Sequence, residues 1–130
     1  MAKVAFTKLG LTKNSNIDIV EWNDQKIEVK QYLPMSEKLE LVSTIINNSI
    51  DDNGYYNPMR VYVNTIIEVI LADTNISVTE KQKEDILKLY DLFVSSGLSG
   101  KIIGEALNPY EYKQLQSWIH ETIHSIYEYK

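Results

Sequence analysis

The sequence contains no cysteine, and this absence removes three classes of site at once. Without thiols there is no disulfide framework, no thiolate zinc site and no cysteine nucleophile. Arginine is nearly absent too, because Arg60 is the only one in 130 residues. Since duplex nucleic acid is bound through clustered Lys and Arg side chains, the composition argues against nucleic acid as a partner.

Long hydrophobic runs are also missing. No stretch approaches the roughly 18 apolar residues of a membrane-spanning helix, and the first 14 residues lack the apolar run of a secretory signal. We therefore expect no membrane partner. Glycine-rich phosphate loops and the G-x-S-x-G nucleophile motif do not occur either. The sequence thus predicts no cofactor and no enzymatic activity.

Charge is distributed unevenly along the chain. The first 16 residues carry three lysines and no acid, so the net charge of −5 leaves −8 on the remaining residues. We interpret residues 1–15 as a basic N-terminal arm. Its short alternating apolar runs indicate either a third strand or a segment that orders only against a neighbour. The apolar residues concerned are Val4, Phe6, Leu9 and Leu11.

The stretch from Asn16 to Ile46 predicts a β-hairpin that continues, through Pro34, into an amphipathic helix. Apolar and polar residues alternate on both sides of the turn residues Asn23-Asp24-Gln25, which is typical of a hairpin. The alternating sets are Ile17, Ile19 and Glu21 before the turn, and Ile27, Val29 and Gln31 after it.

The rest of the chain is predicted to be helical. Ser36 is a candidate N-cap for the first helix, Asn57-Pro58 opens a second, and residues 79–82 fit a capping box for a third. A short helix over 98–107 and a last helix from Asn108-Pro109 follow. The fold class is therefore α+β, mostly α, with four to five packed helices in a single domain over 16–130.

Apolar residues at helical spacing predict the buried face of each helix. The predicted faces are Leu39, Val42 and Ile46 in the first helix; Met59, Tyr62, Val63, Ile66, Ile67 and Ile70 in the second; Ile86, Leu89, Tyr90, Phe93 and Val94 in the third; and Leu115, Trp118, Ile119, Thr122, Ile123 and Ile126 in the last.

Residues 120–124 match H-E-x-x-H, the signature of zinc hydrolases. Histidines at i and i+4 share a helix face and can chelate zinc, with Glu121 as general base. Here, however, His120 and His124 lie roughly 120–160° from the apolar stripe, and only six residues follow to supply a third ligand. We expect a solvent-facing pair that binds metal only incidentally, and a zinc hydrolase is the remote alternative.

Nine tyrosines and two tryptophans are the other conspicuous residues. Tyrosine is enriched at the hot spots of protein interfaces, but it also packs with a buried ring and a surface hydroxyl, so both interpretations stay open. The candidates for a protein-binding surface are Trp22, Tyr32, Tyr55, Tyr56, Tyr110 and Tyr127.

Several phrases of the sequence resemble small proteins encoded among the structural genes of long-tailed phages of Gram-positive bacteria. They are KIEVKQYLPMSEKLELVSTIINNS, YYNPMRV, TNISVTEKQKEDILKLYDL and SIYEYK. The chain looks most similar to the tail assembly chaperones of these phages, which are short, acidic proteins with a β-hairpin ahead of helices. The resemblance implies a non-enzymatic protein of the host cytoplasm that binds tape-measure and tail-tube proteins during virion assembly. It also implies self-association into a homo-oligomer.

A different function suits the same residues. A small phage-encoded inhibitor that binds a host protein, such as a defence enzyme, would equally be acidic, rich in aromatic residues and free of catalytic motifs. The two hypotheses differ in the identity of the partner.

Overall fold

The computed structural model describes the backbone of residues 2–128 and the side chains of residues 2–125. It confirms the predicted α+β class, with a hairpin followed by helices. A 3-10 turn, Phe6–Leu9, precedes strands β1 (Ile17–Trp22) and β2 (Gln25–Lys30). The helices are α1 (Met35–Asn48), α2 (Pro58–Asp73), α3 (Glu80–Glu84), α4 (Ile86–Ser95), a π-helix (Gly100–Ala106) and α5 (Pro109–Glu128).

The hairpin closes through a two-residue turn. Asn23 and Asp24 have φ angles of 48° and 62°, the left-handed values that a type I′ turn requires. The antiparallel register pairs Val20 with Ile27, and these side chains pack toward the helices. Ile17 and Ile19 project from the opposite face and remain 47% and 51% exposed.

The second strand is attached to the end of α2. Val29 forms an isolated bridge with Thr74. The Asn75 side chain accepts a hydrogen bond from the Glu28 N–H at 2.9 Å and donates one to the Lys26 carbonyl at 3.4 Å. These contacts cover the outer edge of β2. Residues 2–15 form no strand, so a third strand is not found in this segment.

Three of the predicted helix starts are confirmed. The Asn57 side chain accepts from the Met59 N–H at 2.9 Å, the capping box of Thr79 and Gln82 is complete, and Asn108 accepts from the Tyr110 N–H at 3.0 Å. The prediction that Ser36 caps the first helix is wrong. Pro34 occupies the cap position with its ψ at 149°, and its carbonyl accepts from the Lys38 N–H. Ser36 therefore already lies inside the first turn.

Helix α1 packs against both α2 and α5, and α4 packs on α2. The centre of α2 is buried without interruption from Val63 to Ile70. The predicted apolar faces are wrong at their margins. In α1, for example, the buried face includes Lys38, Leu41 and Ile45, and Leu39 lies beside it. The predicted core residues that prove to be exposed are Leu39 at 53%, Met59 at 69%, Tyr62 at 52% and Val94 at 40%.

Candidate protein-binding surface

An apolar groove runs between the N-terminal half of α2 and the middle of α5. It has a volume of about 660 Å³. Its walls include Tyr56, Val61, Tyr62, Tyr112, Ile119 and Ile123, and we call it the α2–α5 groove. The groove exists because α1 packs against both helices from one side, which leaves the space between their other faces open.

The helix tyrosines Tyr62 and Tyr112 line this groove, and Tyr90 of a third helix packs on Tyr62. The rings of Tyr62 on α2 and Tyr90 on α4 pack edge to face, with centroids 6.1 Å apart and planes at 64°. Burial, followed by the proximity of Tyr62 and Tyr90, raises the pKa of Tyr112 on α5. The Tyr112 hydroxyl therefore stays protonated at neutral pH. The tyrosine side chains give an otherwise apolar wall a few hydrogen-bonding groups, as is usual for binding grooves.

Among the predicted surface residues whose side chains the structure describes, only Tyr56 lines this groove. Trp22 is half-buried in the hairpin, with Lys101 Nζ 5.5 Å from its ring centroid. Tyr32 lies beside the start of α1, where Lys38 Nζ is 4.2 Å from its ring centroid. Each of these two rings thus has an intramolecular cation as its neighbour.

The remaining predicted residues are dispersed. Tyr55 is 63% exposed at the turn before α2, and Tyr110 is 71% exposed at the start of α5. Tyr110 lines a different cleft, together with Met35 and Trp118. The side chain of Tyr127 lies outside the described residues. The six predicted aromatics therefore do not form one surface.

Sequence reasoning missed the functional grouping of Tyr62, Tyr90 and Tyr112. It assigned the first two to buried helix faces and attached no role to the third. A usable signal was nevertheless present, because Tyr112 precedes Ile119 by seven residues and Ile123 by eleven. That spacing places all three on one helix face.

The two histidines form a pair at the rim of the groove. The rings of His120 and His124 are parallel within 6°, with centroids 6.4 Å apart. Both side chains are exposed, as predicted. Glu121 instead lines the cleft beside Tyr110 and Trp118. Among side chains 2–125, no three His, Asp or Glu residues are grouped as metal ligands.

Replacing both histidines by alanine is expected to change the free energy of unfolding by less than about 1 kcal/mol, because exposed side chains contribute little. Thermal unfolding followed by circular dichroism checks this. Adding nickel at pH 8 is expected to raise the Tm of the parent chain but not that of the His120→Ala, His124→Ala variant. A loss above about 2 kcal/mol without metal would show that the surface assignment is wrong.

In the part of the chain that the structure describes, no helix has both the length and the hydropathy needed to cross a membrane. Comparison of the chain with protein-family models, with curated proteins and with solved structures finds no match.

Proposed function

We propose that this chain is a non-catalytic binding protein, similar to a phage tail assembly chaperone. In this proposal it acts in the host cytoplasm and holds apolar segments of the tape-measure and tail-tube proteins during virion assembly. The observation that carries the proposal is the α2–α5 groove, an open, aromatic-lined channel of about 660 Å³ in a small chain. Grooves of this kind accept the apolar face of an amphipathic helix.

The chemistry of the groove favours an apolar segment flanked by basic residues. Its described lining includes no carboxylate, lysine or arginine, so the channel itself selects apolar side chains. Carboxylates are close in sequence to its aromatic residues. Asp51 and Asp52 occupy the turn before Tyr56. Asp91 follows Tyr90, the ring that packs on Tyr62. Such an arrangement attracts lysines on either side of a buried apolar anchor.

The binding assay uses purified full-length chain and the tape-measure and tail-tube proteins encoded with it. Tyr62→Glu places a charge in the groove, and it is tolerated by the fold because Tyr62 is 52% exposed. We expect this variant to bind at least tenfold more weakly, the effect typical of a hot spot, by about 1.4 kcal/mol or more. Biolayer interferometry measures the affinity.

The matched control is Tyr110→Glu, the same change at a residue of α5 that lies outside the groove and is 71% exposed. It is expected to bind like the parent chain. Equal binding by both variants would overturn the groove assignment. Failure of the parent chain to bind either tail protein, with selective capture of one host enzyme, would replace the chaperone proposal by the inhibitor alternative.

A further inference from the structure

The N-terminal arm exposes apolar side chains that its own chain leaves uncovered. Val4, Phe6, Leu9 and Leu11 are 69%, 74%, 53% and 67% exposed. Four large apolar residues within eight positions form an apolar patch, and such patches mark interaction surfaces in soluble proteins.

The arm has a defined shape at its centre. Phe6 and Leu9 are the first and last residues of a 3-10 turn, and residues three apart in a 3-10 turn project from the same side. Gly10 follows with a φ angle of 62°, a left-handed value that suits glycine and ends the turn. The two side chains therefore form a compact apolar knob at the centre of the arm.

The charges of the arm complement those of the body. Lys3, Lys8 and Lys13 surround the knob, and the first 16 residues contain no acid. The other 114 residues carry −8, since −5 less +3 is −8. The α2–α5 groove is an apolar channel, and Asp51 and Asp91 lie close in sequence to Tyr56, which lines it, and to Tyr90, which packs on Tyr62. An apolar knob between lysines has the chemistry that this groove favours.

In the single chain the arm lies elsewhere. It leaves the body at Asn16, whose carbonyl accepts a hydrogen bond from the Gln31 N–H at 3.0 Å. Residues 11–14 then border Tyr32 in a separate shallow cleft. The groove is open in the same structure, so neither apolar surface is covered by the described residues of its own chain.

We propose that the arm of one copy docks in the α2–α5 groove of a second copy, with Phe6 and Leu9 as its apolar anchors. Reciprocal exchange of two arms gives a closed, two-fold symmetric dimer. The anchors Leu9 and Phe6 lie seven and ten positions from Asn16, so they reach up to about 23–36 Å from the body when the arm is extended, toward a neighbouring copy. This self-association needs only the groove and the arm, and it does not depend on tail proteins as partners.

Sedimentation velocity on the full-length chain at about 100 µM tests the proposal. The parent chain is expected to be a dimer whose dissociation constant rises with salt, because charges contribute to the contact. Phe6→Glu with Leu9→Glu is expected to weaken the dimer at least tenfold, and Tyr62→Glu by a similar factor. Tyr110→Glu should leave it intact, since that residue lies outside the groove.

Mixing the arm variant with the groove variant provides a stricter test. The arm variant has no functional arm and the groove variant has no functional groove. A mixed dimer still contains one intact groove, from the arm variant, and one intact arm, from the groove variant. We expect a heterodimer to form from the mixture. Two results would overturn the proposal: a parent chain that stays monomeric, and a dimer that is unchanged in the arm variant. In either case the arm does not bind the groove of a second copy.

The outcomes also separate this inference from the proposed function. A dimer lost in both variants supports arm exchange, and failure of the Phe6→Glu, Leu9→Glu variant, whose groove is not filled by an arm, to bind either tail protein contradicts the chaperone role. A monomeric parent chain that binds tail proteins, and loses this binding in the Tyr62→Glu variant, supports the chaperone role and contradicts arm exchange.

Discussion

Glu111→Ala is expected to lower the free energy of unfolding by about 3–5 kcal/mol at pH 7, the cost of removing one partner from a buried ion pair. Glu111 Oε2 lies 2.6 Å from Lys38 Nζ, and the two side chains are only 8% and 3% exposed. Its other oxygen, Oε1, accepts a hydrogen bond from the Leu33 N–H at 3.0 Å. Urea denaturation monitored by tryptophan fluorescence measures the loss.

The expected effect is large because one carboxylate joins three parts of the chain. It binds the exit of the hairpin through Leu33, α1 through Lys38, and it belongs to the first turn of α5. Truncation leaves the Lys38 ammonium buried, with Gln114 Oε1 at 3.4 Å as its remaining hydrogen-bond acceptor among the described contacts. It also leaves the Leu33 N–H without its acceptor, and a buried orphan donor is costly.

Two further variants identify the cause of the loss. Glu121→Ala changes an exposed glutamate on the same helix, so we expect a change within about 0.5 kcal/mol. Glu111→Leu combined with Lys38→Met removes both charges, and it is expected to recover most of the stability, since apolar pairs replace buried ion pairs well. A loss below about 1 kcal/mol for Glu111→Ala would indicate that Asp73 takes over as the partner of Lys38.

Much of the fold could be predicted because its signals are local. A capping asparagine acts on N–H groups two or three residues away, as Asn57 does on Met59 and Arg60. The turn of the hairpin is likewise specified by Asn23 and Asp24, residue types that tolerate left-handed φ angles. In both cases the residues that determine the structure are adjacent in sequence.

The buried ion pair could not be predicted in this way. Lys38 lies three and four residues before Leu41 and Val42, so its position on the buried face of α1 is visible in the pattern. A lysine at that position is nevertheless predicted to be exposed unless a buried partner is known. The partner, Glu111, lies 73 residues away in sequence. The α2–α5 groove could not be predicted either. It depends on how two helices that are far apart in sequence lie relative to each other in space.

Asp73→Asn is expected to stabilise the protein increasingly as pH rises. Burial, and secondly the negative charge of Glu111, raise the pKa of Asp73 from 3.8 to about 7, although Lys30 and Lys38 oppose the shift. Glu37 adds a further negative charge nearby. The native protein therefore holds the Asp73 proton up to about pH 7, whereas the unfolded chain releases it near pH 3.8.

The sign of the pH dependence follows from proton linkage. Between about pH 4 and pH 7 the native state binds more protons than the unfolded state, so this carboxyl makes the parent chain less stable as pH increases. Asparagine does not titrate. The stability gained by Asp73→Asn should consequently grow by roughly 2–3 kcal/mol between pH 5 and pH 8 and level off above that. Urea denaturation of both proteins at a series of pH values measures the difference.

The exposed Asp52→Asn change is the matched control, and we expect it to alter stability by less than about 0.5 kcal/mol at either pH. Because Glu111 is the second cause of the raised Asp73 pKa, the gain from Asp73→Asn should shrink in a Glu111→Ala background. A gain equal at pH 5 and pH 8 would mean that Asp73 is already ionised in the native protein at the lower pH. In that case Lys38 would be shared between two carboxylates, and the loss expected for Glu111→Ala would be correspondingly smaller.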